Sequence, residues 1–462
     1  MIGHHNGCPL AALLTNRFGQ TTFLSEVIGA FSYALDLTEG QPPGHCLRSC
    51  WIGVHVGKEL GLDPAQLWDL YYTLLLKDAG CSSNAARLCQ LYGTDDFTVK
   101  RDFKTVDSDH LTEIVGFVLC HAGQGQGLKD RMSRVLNLAT HGEELATELI
   151  TTSCERGAAI ARQLGFDEVV ASGIHGLDEH WNGGGRPQRL QGTAIPLGSR
   201  IALLAQVADV FQTIGGSTRA AQEVQERSGE WFDPAVVAAF NSASSRPGFW
   251  QALTASDLEA RVLAIEPEAR VVIVDDDRLD AIATAFAQVV DSKSPYTFGH
   301  SSRVAQYAGA VAARVGLTPE RRRWLHRGAL LHDIGKLGVS NTVLDKPGSL
   351  TPEEWEQVRA HARYTEEILS RLSPFAELAL VAGAHHERLD GKGYPKGLDA
   401  TAIAIETRII TVADIFDALT AERPYRGPIP VAQALQMMEK IRDQAVDGAC
   451  LDALRNHVTQ LA

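Results

Sequence analysis

The sequence predicts an all-α protein made of two copies of one helical domain, on three observations. Apolar residues recur at helical spacing between recognisable cap signals along much of the second half. Motifs of the second half return, altered, in the first half at a constant offset, the mark of a duplication. The 462 residues leave room for two or three domains, and 45% hydrophobic with 21% charged residues is an ordinary globular composition.

The elements follow in order. Leu111 to Leu138 reads as extra helices that lengthen the first copy. Asp233-Pro234-Ala235-Val236-Val237 and then Ser242 to Gly248 form a small, polar, proline-bearing stretch suited to a connection. The boundary is set near residue 265, giving domains 1–265 and 266–462. Val271 to Val274 with three following aspartates reads as a short strand or extended linker into a helix from Leu279 to Val290. From Ser301, the residues Val304, Ala308, Val311 and Val315 share a helix face, and Gly316 stops the helix. Thr318-Pro319 has the pattern of a helix start, and that helix runs toward His332-Asp333. Its Arg321-Arg322-Arg323 reads as a solvated face. Thr351-Pro352-Glu353-Glu354 is a capping-box arrangement, and the helix it opens carries His361. Asp390-Gly391-Lys392-Gly393-Tyr394-Pro395 is loop chemistry, and the apolar run from Ile403 to Ile415 is a buried helix.

That last helix buries Asp414, a carboxylate in need of a partner, and a cation is an adequate one. It closes an ordered series: His332-Asp333, His361, His385-His386, Asp414, with no cysteine among them. Imidazoles and carboxylates together favour Mn, Fe or Zn over a thiolate-rich structural zinc site, and one carboxylate between two ligand groups can bridge two ions. An isolated His-Asp or His-His pair usually belongs to a helix end or a hydrogen-bonded core. The surrounding text changes that: His332-Asp333-Ile334-Gly335-Lys336, then His385 through Pro395, then Val412-Ala413-Asp414-Ile415-Phe416-Asp417-Ala418.

This stretch, from about Pro295 to Arg426, resembles the HD-GYP family of cyclic dinucleotide phosphodiesterases. The resemblance brings in His300, and it implies one ion held by His300, His332, Asp333 and Asp414 and another by Asp333, His361, His385 and His386. Asp333 is then the bridge, and the cofactor is two divalent ions, with Fe or Mn favoured. Following the family, Lys336 stabilises negative charge on the phosphoryl oxygens or assists the leaving oxygen, Arg423 and Arg426 grip substrate phosphates, and Tyr394 lines the same pocket. Two departures stand out. Some members have a glutamate four residues before the first histidine to hold a third ion, and here that residue is Tyr296; Thr365 stands where glycine is common. The expected activity is hydrolysis of cyclic di-GMP, with 3'3'-cyclic GMP-AMP as the alternative and a non-hydrolysing dinucleotide sensor as the reading of a different class.

The first copy reads as a degenerate HD domain, regulatory or structural. His45 aligns with His300 and Asp78 with Asp333, both at 255 positions (300 − 45 and 333 − 78). Asp178 to Pro187 echoes the glycine-rich loop, and Val207 to Phe211 echoes Val412 to Phe416. Lys77 replaces the histidine before the aspartate, Cys81 the motif lysine, Ser153 takes the place of His361, and Leu177-Asp178 that of His385-His386. An ammonium in a metal's shell repels it, so His45, Asp78 and Asp209 are expected to form a relic hydrogen-bond network rather than hold an ion.

Composition bounds the rest. A net charge of −13 disfavours nucleic-acid polymers as partners. No apolar run approaches the roughly 20 residues that cross a bilayer, and Met1 to Gln20 lacks a leader pattern, so no membrane is expected and the cytoplasm is the expected location. Seven of eight cysteines lie in the first copy, at 8, 46, 50, 81, 89, 120 and 154, without zinc-ribbon spacing, and are read as free thiols. A signalling protein partner and a homodimer both stay open.

Overall fold

The computed structural model describes residues 22–422 and 426–460. Among them there is no sheet; the extended residues form isolated bridges, one joining Phe23 to Ile273. The expected strand at Val271–Val274 is therefore an extended linker whose backbone pairs with residues 22 to 24.

The first lobe runs through α1 (Leu24–Thr38), α2 (His45–Glu59), α3 (Pro64–Leu76), α4 (Ala85–Tyr92), α5 (Asp96–Phe103), α6 (Leu111–His121), α7 (Leu128–Gln163), α8 (Glu168–His175), α9 (Leu197–Glu226), α10 (Pro234–Ser244), α11 (Phe249–Leu253) and α12 (Leu258–Ala264). The second continues with α13 (Asp276–Asp291), α14 (His300–Val315), α15 (Pro319–Leu331), α16 (Asn341–Leu344), α17 (Pro352–Ser370), α18 (Ala376–Gly383), α19 (Ile405–Thr420), α20 (Val431–Glu439) and α21 (Gly448–Gln460). The caps are those the sequence announces. Thr318 accepts from Arg321 N ahead of Pro319, Gly316 ends α14 at φ 94°, and Thr351 and Glu354 cap each other's backbone at α17. The extra helices around Leu111 to Leu138 are α6 and the first part of α7.

Two readings change. Pro234–Ser244 is not a connection: Asp233 caps it as a helix that buries Val236, Val237 and Phe240. Its polar residues lie on the outer face, and a short helix with one buried stripe looks like a linker in composition. Arg321 and Arg323 are not simply solvated either. Arg321 stacks on Trp324 and pairs with Glu377 and Glu406, and Arg323 pairs with Asp277 and Asp280, so both tie α15 to its neighbours.

The lobes meet across a pseudo-twofold relation. Phe31 on α1 and Phe286 on α13 stack at 4.0 Å between centroids, and their numbers also differ by 255 (286 − 31). Each lobe's first helix thus packs beside the other's, and a single buried apolar cluster runs through both lobes. Leu337, in the turn after Asp333, belongs to this core.

Candidate metal centre

Three turns and two helices bring the ligands together. His300 is the first residue of α14, with Gly299 before it at φ 69°, a conformation that glycine adopts at little cost. His332 and Asp333 end α15, where a 3₁₀ turn from Ile334 to Gly338 follows. A Cβ on Gly335 would lie 1.9 Å from the His361 carbonyl oxygen, so only glycine lets this turn press against α17. Thr365 secures the same contact: its hydroxyl donates to the His332 carbonyl at 2.9 Å and accepts from Gly335 N at 3.0 Å.

Asp333 lies between two groups of ligands. Its Oδ2 is 3.3 Å from His300 Nε2 and 3.3 Å from His332 Nε2, and Asp414 Oδ1 is 3.4 Å from His300 Nε2. Its Oδ1 is 3.5 Å from His361 Nε2 and 3.6 Å from His385 Nε2. His386 clusters with His361 and His385. The seven residues singled out in the sequence are therefore gathered as two overlapping sets that share one carboxylate.

Each imidazole is aimed by its other nitrogen. The Nδ1 of His332 faces the Ala329 carbonyl at 2.8 Å, that of His385 the Ala382 carbonyl at 2.7 Å, and that of His361 the Val358 carbonyl. His300 Nδ1 faces Asp417 Oδ2 at 2.7 Å. Proton donation from Nδ1 leaves Nε2 with its lone pair toward the centre, the tautomer a metal requires. Asp417 is a residue that sequence reasoning passed over, though it stands three residues after Asp414 in the quoted motif and shared helix spacing could have marked it. It also holds Arg303, whose Nε lies 2.6 Å away.

The fit to cations rests on what these atoms lack. His300 Nε2, His332 Nε2 and Asp333 Oδ1 are buried without a hydrogen-bond partner. Buried polar atoms left without a partner in this way are costly, and a cation would satisfy them. The electrostatics agree. Burial, then the competing His361 ring, push His386 down to about 3, and burial dominates in pushing His361 down to about 4, so both are neutral. Burial would also lower His300 and His332, yet the carboxylates of Asp333 and Asp414 overcome it and lift them to about 10 and about 9. A divalent ion answers the same carboxylates.

The predicted substrate residues divide. Lys336 Nζ contacts Asp333 Oδ2 at the edge of the centre. Tyr394 packs on His386 with ring centroids 4.8 Å apart, and Arg359 lies over the outer side of the Tyr394 ring. Arg426 spends its guanidinium on the C-terminal carbonyls of α19, reaching Ala418 at 2.6 Å and Leu419 at 2.9 Å, so as placed it does not present a fork to a phosphate. Arg423 lies outside the described residues.

The first lobe repeats this architecture with different chemistry. Gly80 approaches the Ser153 carbonyl as Gly335 approaches that of His361, and Glu179 and Glu387 each clasp two backbone N–H groups of the glycine-rich loop. These pairs, with Arg200 and Arg408, differ by 208 positions (361 − 153, 387 − 179, 408 − 200). The surplus of the first copy thus falls between α4 and the middle of α7. Asp209 bonds His45 Nδ1 at 2.7 Å and pairs with Arg48, which is the part Asp417 plays with His300 and Arg303. Asp209 therefore matches Asp417, and Gln206 stands where Asp414 does; the likeness of Val207-Ala208-Asp209 to Val412-Ala413-Asp414 is out of register by one helical turn.

Two ammonium groups flank Asp78 as two ions would flank Asp333. Lys77 Nζ lies 2.9 Å from His45 Nε2 and touches Asp78 Oδ2. Lys104 Nζ, at the C-cap of the inserted α5, lies 3.5 Å from Asp78 Oδ1 and 2.8 Å from Glu39 Oε2. Burial opposes it, but Asp78 and Glu39 raise the Lys104 ammonium well above its ordinary value. His45, lowered to about 4 by burial and then by Lys77, accepts as a neutral ring. Glu39, Asp78 and Cys81 also cluster, but Lys104 and Lys77 already pair with the two carboxylates.

A family model described as HD domain matches residues 127–236 and 284–450, one stretch in each lobe. The chain belongs to the HD domain family, in its HD-GYP branch. One HD-GYP relative, the 3'3'-cGAMP-specific phosphodiesterase 3 of Vibrio cholerae, is 53% identical over 96% of this chain and 96% of its own. A crystal structure described as a cyclic GMP-AMP specific phosphodiesterase of V. cholerae superimposes with a TM-score of 0.66 at 48% identity, covering 96% of this chain and 99% of that one. The cyclic di-GMP phosphodiesterase response regulator RpfG of Xanthomonas campestris is 37% identical over 45% of this chain and 54% of its own. Among the described residues, no helix of this HD-GYP protein is long and apolar enough to cross a membrane.

Proposed function

We propose that the protein is a cytoplasmic two-metal phosphodiesterase that opens 3'3'-cyclic GMP-AMP, with residues 266–462 catalytic and 1–265 regulatory or architectural. The observation that carries the reaction class is Asp333, with one oxygen facing each group of imidazoles and its Oδ1 lacking a partner. His300, His332, Asp333 and Asp414 would hold one ion, and Asp333, His361, His385 and His386 the other. Bound there, two divalent ions such as Fe or Mn supply an acidified water and neutralise charge at the phosphate. The chain's own residues do the rest. The Nδ1 contacts fix the ring directions, Lys336 holds an ammonium where phosphoryl oxygens gather negative charge, and Tyr394 offers a flat wall beside His386.

The substrate reading rests on the relative that spans nearly the whole chain, which is named for 3'3'-cGAMP, whereas cyclic di-GMP, first favoured from the motifs, is named in relatives that match less than half of it. The retained ligand set favours turnover over sensing alone. The test is to load the protein with Mn or Fe, count the metal, and follow both dinucleotides by chromatography. Faster opening of cyclic GMP-AMP supports the reading, and binding without product overturns it.

A further inference from the structure

The inserted helix α5 reaches both lobes. At its C-terminal end Lys104 pairs with Asp78 and Glu39 of the first lobe. At its N-terminal end Asp96, fully buried, crosses to the second. Asp96 Oδ1 accepts from Asn341 N at 3.0 Å and from Ser340 Oγ at 3.1 Å. Its Oδ2 lies 3.5 Å from Nζ of Lys293, a side chain only 1% exposed, which also stands over the Phe97 ring at 4.6 Å.

The two segments that Asp96 holds lead straight into the metal centre. Ser340 and Asn341 follow, after Val339, the 3₁₀ turn that carries Lys336 and has Asp333 at its start. Lys293 opens the loop that ends at His300, a loop pinned by Ser294 Oγ to Asp345 at 2.5 Å and by Thr297 Oγ1 to the Asp291 and Ser294 carbonyls. Asn341 joins the segments directly, since its Nδ2 donates to the Lys293 carbonyl at 2.8 Å. Asp96 thus fixes both segments against each other from the opposite lobe. Without it a buried ammonium loses the nearest carboxylate, and the Lys293 loop loses the contact that ties it to α5.

We propose that Asp96 is a positioning residue for the phosphodiester hydrolysis, acting across the lobe junction by holding the His300 loop and the Asp333–Lys336 turn in register. This rests on the proposed function but does not need the particular dinucleotide. It gives the insertion a role in the second lobe's chemistry, because the helix anchored on Asp78 and Glu39 is the helix that presents Asp96.

The test uses the full chain loaded with Mn for kinetics and with Co(II) for spectra. Asp96→Ala is expected to lower kcat on the order of 10- to 100-fold with KM changed by less than about threefold, since small displacements of reacting groups carry costs of that size. The visible bands of bound Co(II) shift in the same variant. Asp96→Asn, which keeps an acceptor for Ser340 and Asn341 but drops the charge, gives a smaller loss. Lys293→Met combined with Asp96→Ala gives less than the product of the two single losses. Unchanged kcat and unchanged Co(II) bands in folded Asp96→Ala overturn the proposal, as does a loss of activity that only tracks the loss of folded, metal-loaded protein. Should Asp96→Ala not fold, Asp96→Asn and Lys293→Met carry the same readouts. Bis(4-nitrophenyl) phosphate is assayed beside the cyclic dinucleotides. Wild-type turnover of that ester without opening of either dinucleotide removes the substrate reading alone, leaving the Asp96 comparison intact.

Discussion

At the scale of the residue, the centre depends on one carboxylate and on what aims the rings around it. Asp333→Ala removes the carboxylate that two ions would share, so both are expected to be lost together and turnover to fall by at least about a thousandfold, given what two ions contribute to phosphoryl chemistry. Elemental analysis of the purified variant beside its assay checks this, and retention of one full equivalent would show that the two sets do not share Asp333. Asp417→Asn keeps a hydrogen bond but weakens the hold on His300 Nδ1. Its expected effect is a 10- to 100-fold loss of metal affinity, about the size seen when outer partners of ligands are changed. A chelator competition titration measures it. The gathering of these side chains was legible in the sequence because histidines and aspartates in a fixed order around glycines have few other uses. Asp417 was not, since an aspartate that orients and one that ligates look alike until the helix phase is known. The same ambiguity put Asp209 one turn out of register, and a sequence does not show the helix-end carbonyls that engage the Arg426 guanidinium.

At the scale of the element, the 3₁₀ turn and the inserted α5 matter most. Gly335→Ala forces a Cβ into the His361 carbonyl, and backbone on both sides leaves nothing flexible to yield. The expected outcome is loss of metal and activity with the helical content of the first lobe retained, read by elemental analysis and circular dichroism. In the first lobe, Lys77→Met strips one ammonium from a buried aspartate. Breaking a buried pair in this way costs about 3–5 kcal/mol, and urea denaturation should show it while the metal content stays unchanged. Unaltered stability would mean that Lys104 alone satisfies Asp78. Helix starts at Thr318 and Thr351 and the stop at Gly316 were readable because caps are local chemistry. The helix at Pro234–Ser244 was not, because its buried stripe is short and burial is decided by distant partners.

At the scale of the whole molecule, an HD domain match recurs in each lobe, and the imidazoles gathered around Asp333 in the second give way to lysines around Asp78 in the first. The duplication was visible from His45 and Asp78, but the pseudo-twofold packing of Phe31 on Phe286 was not, since a repeat offset says nothing of how two lobes meet. Because α1 buries apolar surface in the core shared with the second lobe, removing residues 1–265 uncovers Phe286 and the turn after Asp333. The truncated chain is expected to aggregate or to lose metal, and size-exclusion chromatography with elemental analysis decides. The most direct test of the central claim is turnover of 3'3'-cyclic GMP-AMP by full-length protein whose metal content has been counted. The account predicts two ions per chain, none of them in the first lobe, and a ring-opened product that Asp333→Ala fails to make. An intact ring after prolonged incubation with protein carrying both ions would contradict it.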